Sequence, residues 1–162
     1  MNWLMSLWAG VAVLGFAMVF SVPRRTLPGI VALAIGAHLM RTLCMNLHAG
    51  LPTSSFMAAL FVGFTAAIIA PRTGQATPIY AFAPVIPLIP GTYIFNCLRA
   101  GFALTAAQEP ADTAAIVDAA MISAATATLT IIALAVGAIG PTLLAGRSLA
   151  KFATGREDAS AD

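Results

Sequence analysis

The stretch that decides the fold is PIYAFAPVIPLIPGTYIFNCLRAGFAL, residues 78–104. It is apolar enough to lie in a membrane, yet Pro84, Pro87 and Pro90 recur every three residues and Gly91 follows them. Proline lacks the N–H that a helix interior needs and clashes with the preceding turn, so one continuous helix is excluded. The sequence therefore predicts a membrane segment that is broken near its middle, and broken membrane segments are typical of binding sites.

Composition identifies the environment of the whole chain. Of its 162 residues, 60% are hydrophobic and 9% are charged, with a mean hydropathy of +0.93, whereas soluble domains carry roughly 25% charged residues. This length accommodates about five spanning helices of about 20 residues each. We predict an all-α membrane protein with about five transmembrane helices, the fourth crossing being broken by a proline-rich, re-entrant-like segment. Residues 1–150 form one transmembrane domain, and residues 151–162 form a polar C-terminal tail.

Several function classes have no support in the sequence. The net charge is +2 and the basic residues are scattered, so no nucleic-acid surface is predicted. Cys44 and Cys97 lie in apolar runs, where a thiol behaves as a small buried hydrophobe, and we predict no metal and no cofactor. The sequence contains no G-x-S-x-G or H-E-x-x-H motif and no paired intramembrane aspartates, so we do not expect an enzyme.

Apolar runs, and the serine and proline residues at their ends, predict where the spans lie. Ser54 and Ser55 are expected to cap the start of the third span, and Pro71 is expected to stop it. Ser55, Ala59 and Gly63 stand four residues apart, a pattern of small residues that lets another helix approach closely. The predicted spans are residues 3–20, 28–47, 53–70, 79–107 and 113–144.

The basic residues predict the orientation, because lysine and arginine collect on the cytoplasmic side. They follow the first, third and fifth spans, and the other two loops contain none. This alternation predicts a protein of the cell's inner membrane with the N-terminus outside and the C-terminus in the cytoplasm. It also requires the broken segment to cross only once. The residues concerned are Arg24, Arg25, Arg72, Arg147, Lys151 and Arg156.

Arg41 and Arg99 are the two arginines that fall within predicted spans. An arginine at a helix centre costs roughly 2.5–3.5 kcal/mol and therefore requires a partner or water. Each belongs to a polar helical face, which on the second helix covers an arc of about 80°, and we predict that the two faces share one cavity. The faces comprise His38, Arg41, Met45 and His48 on the second span and Thr92, Asn96, Arg99 and Ala103 on the fourth.

No aspartate or glutamate lies in the middle of a predicted span, so the charge of Arg41 has few available partners. Backbone carbonyls, the edge residue Asp118, another subunit and an anionic substrate all remain open. The helix that restarts at Gly91 leaves its first N–H groups without intrahelical acceptors, and such a terminus favours an anion by up to about 2 kcal/mol. The predicted substrate-binding residues are Arg41, Gly91, Thr92, Asn96, Arg99 and Ser55.

Alternatives accompany each of these assignments. Arg99 can snorkel to the outer interface, and the three prolines can form a hinge packed against a neighbouring helix. Ser54, Ser55, Thr92 and Asn96 can bind a hydroxyl or an ammonium group. His38 is the candidate for proton coupling because histidine titrates near neutrality in its unperturbed form, whereas His48 is interpreted as an interfacial residue.

Four stretches resemble the small membrane subunit of the threonine/serine exporter family. They cover much of residues 15–104, and the proline-rich stretch is the most specific of them. His38, Arg41, Pro87, Pro90 and Gly91 fall on the family pattern, whereas Arg99 does not. The stretches are GFAMVFSVP at 15–23, G-x-H-x-x-R at 36–41, SSFMAALFVG at 54–63 and PVIPLIPG at 84–91.

The resemblance implies a small subunit that works with a larger membrane subunit. It also implies proton-driven export of a small anionic or zwitterionic substrate, either a hydroxy amino acid such as threonine or serine or a dicarboxylate such as succinate. A higher oligomer remains open. The alternative hypothesis is a scaffold or stabilising subunit that transports nothing, whose polar residues fit only its partner in the lipid bilayer.

Overall fold

The computed structural model describes residues 3–19, 22–106 and 110–158, with side chains described for 8–19, 22–106 and 112–144. Phe20, Ser21 and Glu109 lie outside these residues. So do residues 159–162 of the polar tail. The elements are α1 (Trp3–Val19), a 3₁₀ turn (Arg24–Thr26), α2 (Leu27–Asn46), α3 (Leu51–Thr73), α4 (Thr77–Phe82), a 3₁₀ segment (Ala83–Leu88), α5 (Gly91–Ala106) and α6 (Pro110–Asp158).

The chain folds as an all-α membrane protein, as predicted. Three segments are long and apolar enough to cross a membrane, namely Arg24–Asn46, Leu51–Thr73 and Asp112–Leu144. The pair Thr77–Leu88 and Gly91–Ala106 reaches the same length and apolarity together and is bent by 52°, which confirms that this segment is broken.

By length and composition, the described residues hold three candidate crossings, or four when the bent pair is taken as one, against the about five predicted. α1 is apolar, and its 17 residues extend for about 26 Å, at the lower end of the lengths that span a bilayer's hydrocarbon core. It packs against α2 and against the 3₁₀ segment. α1 is therefore a short apolar helix of the bundle.

Two predictions about the ends of α3 were wrong. Pro71 lies inside the helix, which continues to Thr73 and ends at Gly74, whose φ of 63° lets the Gln75 N–H reach the Ala70 carbonyl at 3.2 Å. A proline in the last turn removes only one bond, so the glycine decides the end. At the other end no serine caps the helix, and the Ser54 hydroxyl instead donates to the Gly50 carbonyl at 2.9 Å.

His48 has a structural role at the end of α2. Its φ is 63°, and the chain around it closes the helix with two reversed bonds, from the His48 N–H to the Met45 carbonyl and from the Ala49 N–H to the Cys44 carbonyl, both at 3.1 Å. This is a Schellman motif, in which glycine is the usual occupant of the left-handed position.

α3 and α6 form the closest helix pair. A Cβ added to Gly63 would lie 2.7 Å from the Ala138 carbonyl oxygen, and one added to Gly137 would lie 2.8 Å from the Ala59 Cβ. Ser55, Ala59 and Gly63 are all buried. The predicted face of small residues is therefore a helix contact, in which the absence of side-chain bulk lets the two backbones approach.

The same contacts give the relative direction of α3 and α6. Pro52 and Phe56 line a groove together with Leu129 and Ala133, and Gly63 lies against residues 137–141. Residue numbers increase in the same direction along the contact on both helices, so the two helices run parallel. The chain between them must therefore cross the membrane an odd number of times, as a single broken crossing does.

The arginine-bearing loops lie at one end of the bundle. Ile30 near the start of α2, Ala70 near the end of α3 and Tyr80 of α4 belong to one buried cluster. This packing places Arg24, Arg25 and Arg72 on the same side, as the distribution of charge requires. The side chains of the later basic residues, from position 145 onward, are outside the described set.

The α3–α6 contact predicts a strong difference between two glycine-to-alanine substitutions. Gly63→Ala forces a methyl group against a backbone carbonyl and should cost about 1–3 kcal/mol of stability. Gly140→Ala, where an added Cβ meets nothing within 4 Å, should raise the melting temperature slightly, because alanine is favoured over glycine in a helix interior. Thermal unfolding of the two purified variants in the same detergent checks this, and equal melting temperatures would contradict the close contact.

The left-handed position of His48 predicts a stabilising substitution. His48→Gly removes the steric cost of a Cβ in that conformation, about 1–2 kcal/mol, and should raise the melting temperature in detergent. His48→Ala, which keeps the Cβ, serves as the matched control and should not raise it. A gain from alanine equal to that from glycine would show that the imidazole itself destabilises the protein.

Candidate functional site

The broken crossing changes backbone geometry at Ile89. The 3₁₀ segment ends at Leu88, Ile89 is extended with φ −59° and ψ 132°, and α5 begins at Gly91 after the buried Pro90. A continuous helix would join the Thr92 N–H to the Leu88 carbonyl. The extended residue separates those two groups, so each must find another partner.

Arg41 takes the carbonyl side of the interrupted bond. Its Nη1 donates to the Leu88 carbonyl oxygen at 2.8 Å, which joins α2 to the break. Leu88 is fully buried and Arg41 is half-buried. Unpaired backbone is tolerated at membrane depth only where it is buried in protein or lines a cavity, and this bond satisfies the buried carbonyl.

The N–H side is only partly satisfied. The Gly91 N–H donates to the Ile89 carbonyl at 2.8 Å, while the Tyr93 and Ile94 N–H groups donate to the Pro90 carbonyl at 3.1 and 3.2 Å. The expectation that all of the first N–H groups of this helix lack acceptors was therefore too broad. Within the described part of the chain, Thr92 is the residue of this turn whose N–H has no acceptor.

A cavity of about 580 Å³ opens at the break. It lies between the later part of α2, the start of α3, the end of the 3₁₀ segment and the first turns of α5. Its volume is in the range of small-molecule sites. The lining residues are His38, Arg41, Thr42, Met45, Leu51, Pro87, Ile89, Pro90, Gly91, Thr92, Tyr93 and Asn96.

The lining of this cavity carries a positive charge. Arg41 brings a full positive charge, and no aspartate or glutamate is among the lining residues. Its bonded partner, the Leu88 carbonyl, is a neutral dipole, and no carboxylate pairs with Arg41 among the described residues. Guanidinium has five donors, so the group retains donors for a further ligand. The arrangement is chemically suited to an anion.

Seven predicted site residues line this cavity, and three, Arg99, Ser55 and Pro84, lie elsewhere. Arg99 lines a separate groove of about 410 Å³ between α5 and α6, which Asn96 borders as well. Ser55 is fully buried in α3, and its hydroxyl has no hydrogen-bond partner in the described structure. Pro84 is buried in the bundle, and His48 belongs to the α2 terminus. The residues brought together are His38, Arg41, Gly91, Thr92, Asn96 and the hinge pair Pro87 and Pro90.

The sequence analysis did not predict some of the groups that form the cavity. The proline pattern indicates freed carbonyls at positions four residues earlier, but the carbonyl that Arg41 uses is that of Leu88, which depends on the extended Ile89. Tyr93 and Thr42 each stand beside a predicted residue, so a wider helical face would have included them. Leu51 enters the cavity through the packing of α3 on α2, which no local pattern reveals.

Comparison with known proteins assigns the chain to a family. A family model described as Threonine/Serine exporter, ThrE, matches residues 5–144. The chain belongs to the threonine/serine exporter family. That is a family of transporters, and the apolar bent helix pair and the cavity at its break lie within the matched region of this exporter-family protein.

A relative of the exporter-family chain is an uncharacterized protein of Haemophilus influenzae. The two are 29% identical over 92 residues, which make up 57% of this chain and 31% of that protein. The matched part thus spans about a third of the relative's length. No solved structure matches this chain.

The cavity predicts which introduced cysteines react with water-borne reagents. In a variant whose Cys44 and Cys97 are replaced by alanine, Gly91→Cys should react severalfold faster with a membrane-impermeant thiol reagent than Gly101→Cys. Both glycines lie on α5 with open space around an added Cβ, but only Gly91 lines the cavity. Equal labelling rates would show that water does not reach the break.

Proposed function

We propose that this chain is a subunit of a secondary-active exporter of small carboxylates or hydroxy amino acids. The observation that carries the proposal is the split bond at the break. Its carbonyl end is held by Arg41, and its N–H end, on Thr92, borders the same cavity without an acceptor. A substrate carboxylate between these groups receives a charged donor and a helix N-terminal donor at once.

Neighbouring side chains provide the second contact that a small substrate needs. Asn96, Thr42 and Tyr93 border the cavity, and each can hydrogen-bond a hydroxyl or a second carboxylate. In this proposal an α-ammonium group is bound by an acidic group of the partner, because none of the described residues that line the cavity is acidic. The geometry thus supports carboxylate recognition directly and amino-acid recognition with help from the partner.

His38 is the proposed site of proton coupling. It lies one helical turn before Arg41 and borders the same cavity. Protonation changes the charge of the cavity and thereby links proton binding to substrate binding. Export then requires that an incoming proton is exchanged for an outgoing substrate. A transporter that couples the two can use the proton gradient to move its substrate.

A larger membrane subunit completes the exporter in this proposal. The aligned stretch is 31% of the Haemophilus influenzae relative, so more than two thirds of that protein has no counterpart in the alignment. We place the complex in the inner membrane with the N-terminus outside and the C-terminus in the cytoplasm, which requires the apolar α1 to cross the bilayer together with the three long helices and the broken segment. This orientation rests on the arginine-bearing loops at one end of the bundle.

A structural role for the same residues is the competing function. The bond from Arg41 to the Leu88 carbonyl is what a scaffold would use to hold α2 against the broken segment. In that case Arg41 serves assembly alone, and the transport site lies in the partner.

Export assays on the assembled complex separate the two functions. Arg41→Ala should lower the export rate by about 10–100-fold, because a hydrogen bond to a charged group is worth about 1.5–3 kcal/mol. Arg41→Lys keeps the charge but loses the forked geometry and should retain intermediate activity. His38→Ala should weaken the dependence of export on the proton gradient.

Arg72→Ala is the matched control, because Arg72 is exposed at the end of α3. The complex that carries this substitution should export at the wild-type rate. Each variant is compared at equal amounts of assembled complex, measured by co-purification of the partner. Full export by assembled Arg41→Ala and His38→Ala complexes would overturn the substrate-site proposal in favour of the scaffold.

A further inference from the structure

α5 is the least enclosed of the long helices. None of its residues is buried, whereas α2, α3 and α6 each contribute several to the interior. α5 packs mainly along α6. Large apolar side chains on it are widely exposed, with Phe102 at 77% and Phe95 at 64%. The helix therefore projects from the bundle with much of its surface available.

Arg99 lies in the middle of this projecting helix. It is exposed, and it lines the groove of about 410 Å³ between α5 and α6 with Asn96 and Ser123. Asp112 and Asp118 are the described carboxylates of α6, and neither forms a salt bridge with Arg99 in the described structure. An arginine within a membrane-spanning segment costs a few kcal/mol of insertion free energy unless it is paired or hydrated.

We propose that α5 and the first half of α6 form the surface on which the larger subunit docks, and that a helix of that subunit presents a carboxylate to Arg99. This inference rests on the proposed two-subunit exporter and assigns the contact between its subunits. The carboxylate pairs with the guanidinium inside the groove, which adjoins the substrate cavity at Asn96 but does not include Arg41.

The walls of the groove suit a helix as the occupant. Ala100, Ala103 and Ala119 line it beside the polar groups, and small residues of this kind let a second helix approach closely. The exposed phenylalanines of α5 flank the groove and would pack on that helix. A paired arginine at the centre of such a contact sets both register and partner choice.

Two other occupants fit the groove less well. A lipid phosphate would engage Arg99 alone, whereas the groove extends over two turns of both helices, from Asn96 to Ala103 on α5 and from Ile116 to Ser123 on α6. A second copy of this chain could offer Asp118, but Asp118 is not among the groove-lining residues, so its position does not complement the groove. A helix from the larger subunit can contact the whole length of the groove and can carry its own carboxylate.

Charge reversal tests the contact. Arg99→Glu should reduce the larger subunit that co-purifies with the tagged chain by at least about tenfold, given that intramembrane polar contacts are worth up to about 2 kcal/mol and reversal adds repulsion. Arg99→Lys should retain most of it. Arg72→Glu makes the same change outside the groove and should retain all of it. Undiminished co-purification with Arg99→Glu would overturn the proposal.

Cross-linking identifies the occupant directly. A photo-reactive residue at Phe102 should cross-link to the larger subunit, whereas the same residue at Met18, which is 73% exposed on α1, should not. A product of twice the mass of this chain would show a second copy in the groove. A cross-link to lipid alone would show that the face lies open to the bilayer. Either result would overturn the proposal.

The two proposals fail separately. Arg41→Ala should lose export while keeping the larger subunit bound, because Arg41 lies in the other cavity. Arg99→Glu should lose the larger subunit itself. Loss of the subunit with Arg99→Glu but unchanged export with Arg41→Ala would support the docking surface and overturn the substrate site.

Discussion

The structure depends on one missing hydrogen bond. A continuous fourth crossing would join the Thr92 N–H to the Leu88 carbonyl, but the extended Ile89 between two prolines separates them. Backbone groups at membrane depth cannot be left to lipid, so the break has to be enclosed. Arg41 satisfies the carbonyl at 2.8 Å, and Thr92, whose N–H has no acceptor among the described residues, lines the cavity. The same interruption that bends the crossing by 52° thus creates a cationic site with an open donor beside it.

The close contact between α3 and α6 provides the frame in which that break can exist. Gly63 and Gly137 bring the two backbones together, and the parallel direction of these helices requires an odd number of crossings between them. The broken segment is the connection that this requirement selects. Its 3₁₀ part lies on the inner cluster through Val85 and Leu88, whereas α5 leans outward on α6. One end of the crossing is therefore rigidly held, and the other remains available to a partner.

Much of this fold follows from local sequence patterns. Three prolines at intervals of three exclude a continuous helix, and small residues at intervals of four locate the α3 face. Tertiary geometry decided the rest. Pro71 did not end α3, because a proline in the last turn costs one bond only. The two polar faces meet in one cavity through Arg41, Thr92 and Asn96, but Arg99 lies in the groove between α5 and α6. The Leu88 carbonyl was unpredictable, since its freedom depends on the conformation of a single residue, Ile89.

The central claim is that Arg41 and the Thr92 N–H hold a substrate carboxylate. An experimental structure of the assembled complex, determined with a small transported carboxylate bound, tests it most directly. The account predicts carboxylate oxygens within about 3 Å of the Arg41 guanidinium and of the Thr92 nitrogen, with Asn96 or Tyr93 on the far side of the ligand. A complex in which an acidic side chain of the larger subunit occupies that position, and the carboxylate binds elsewhere, would contradict it.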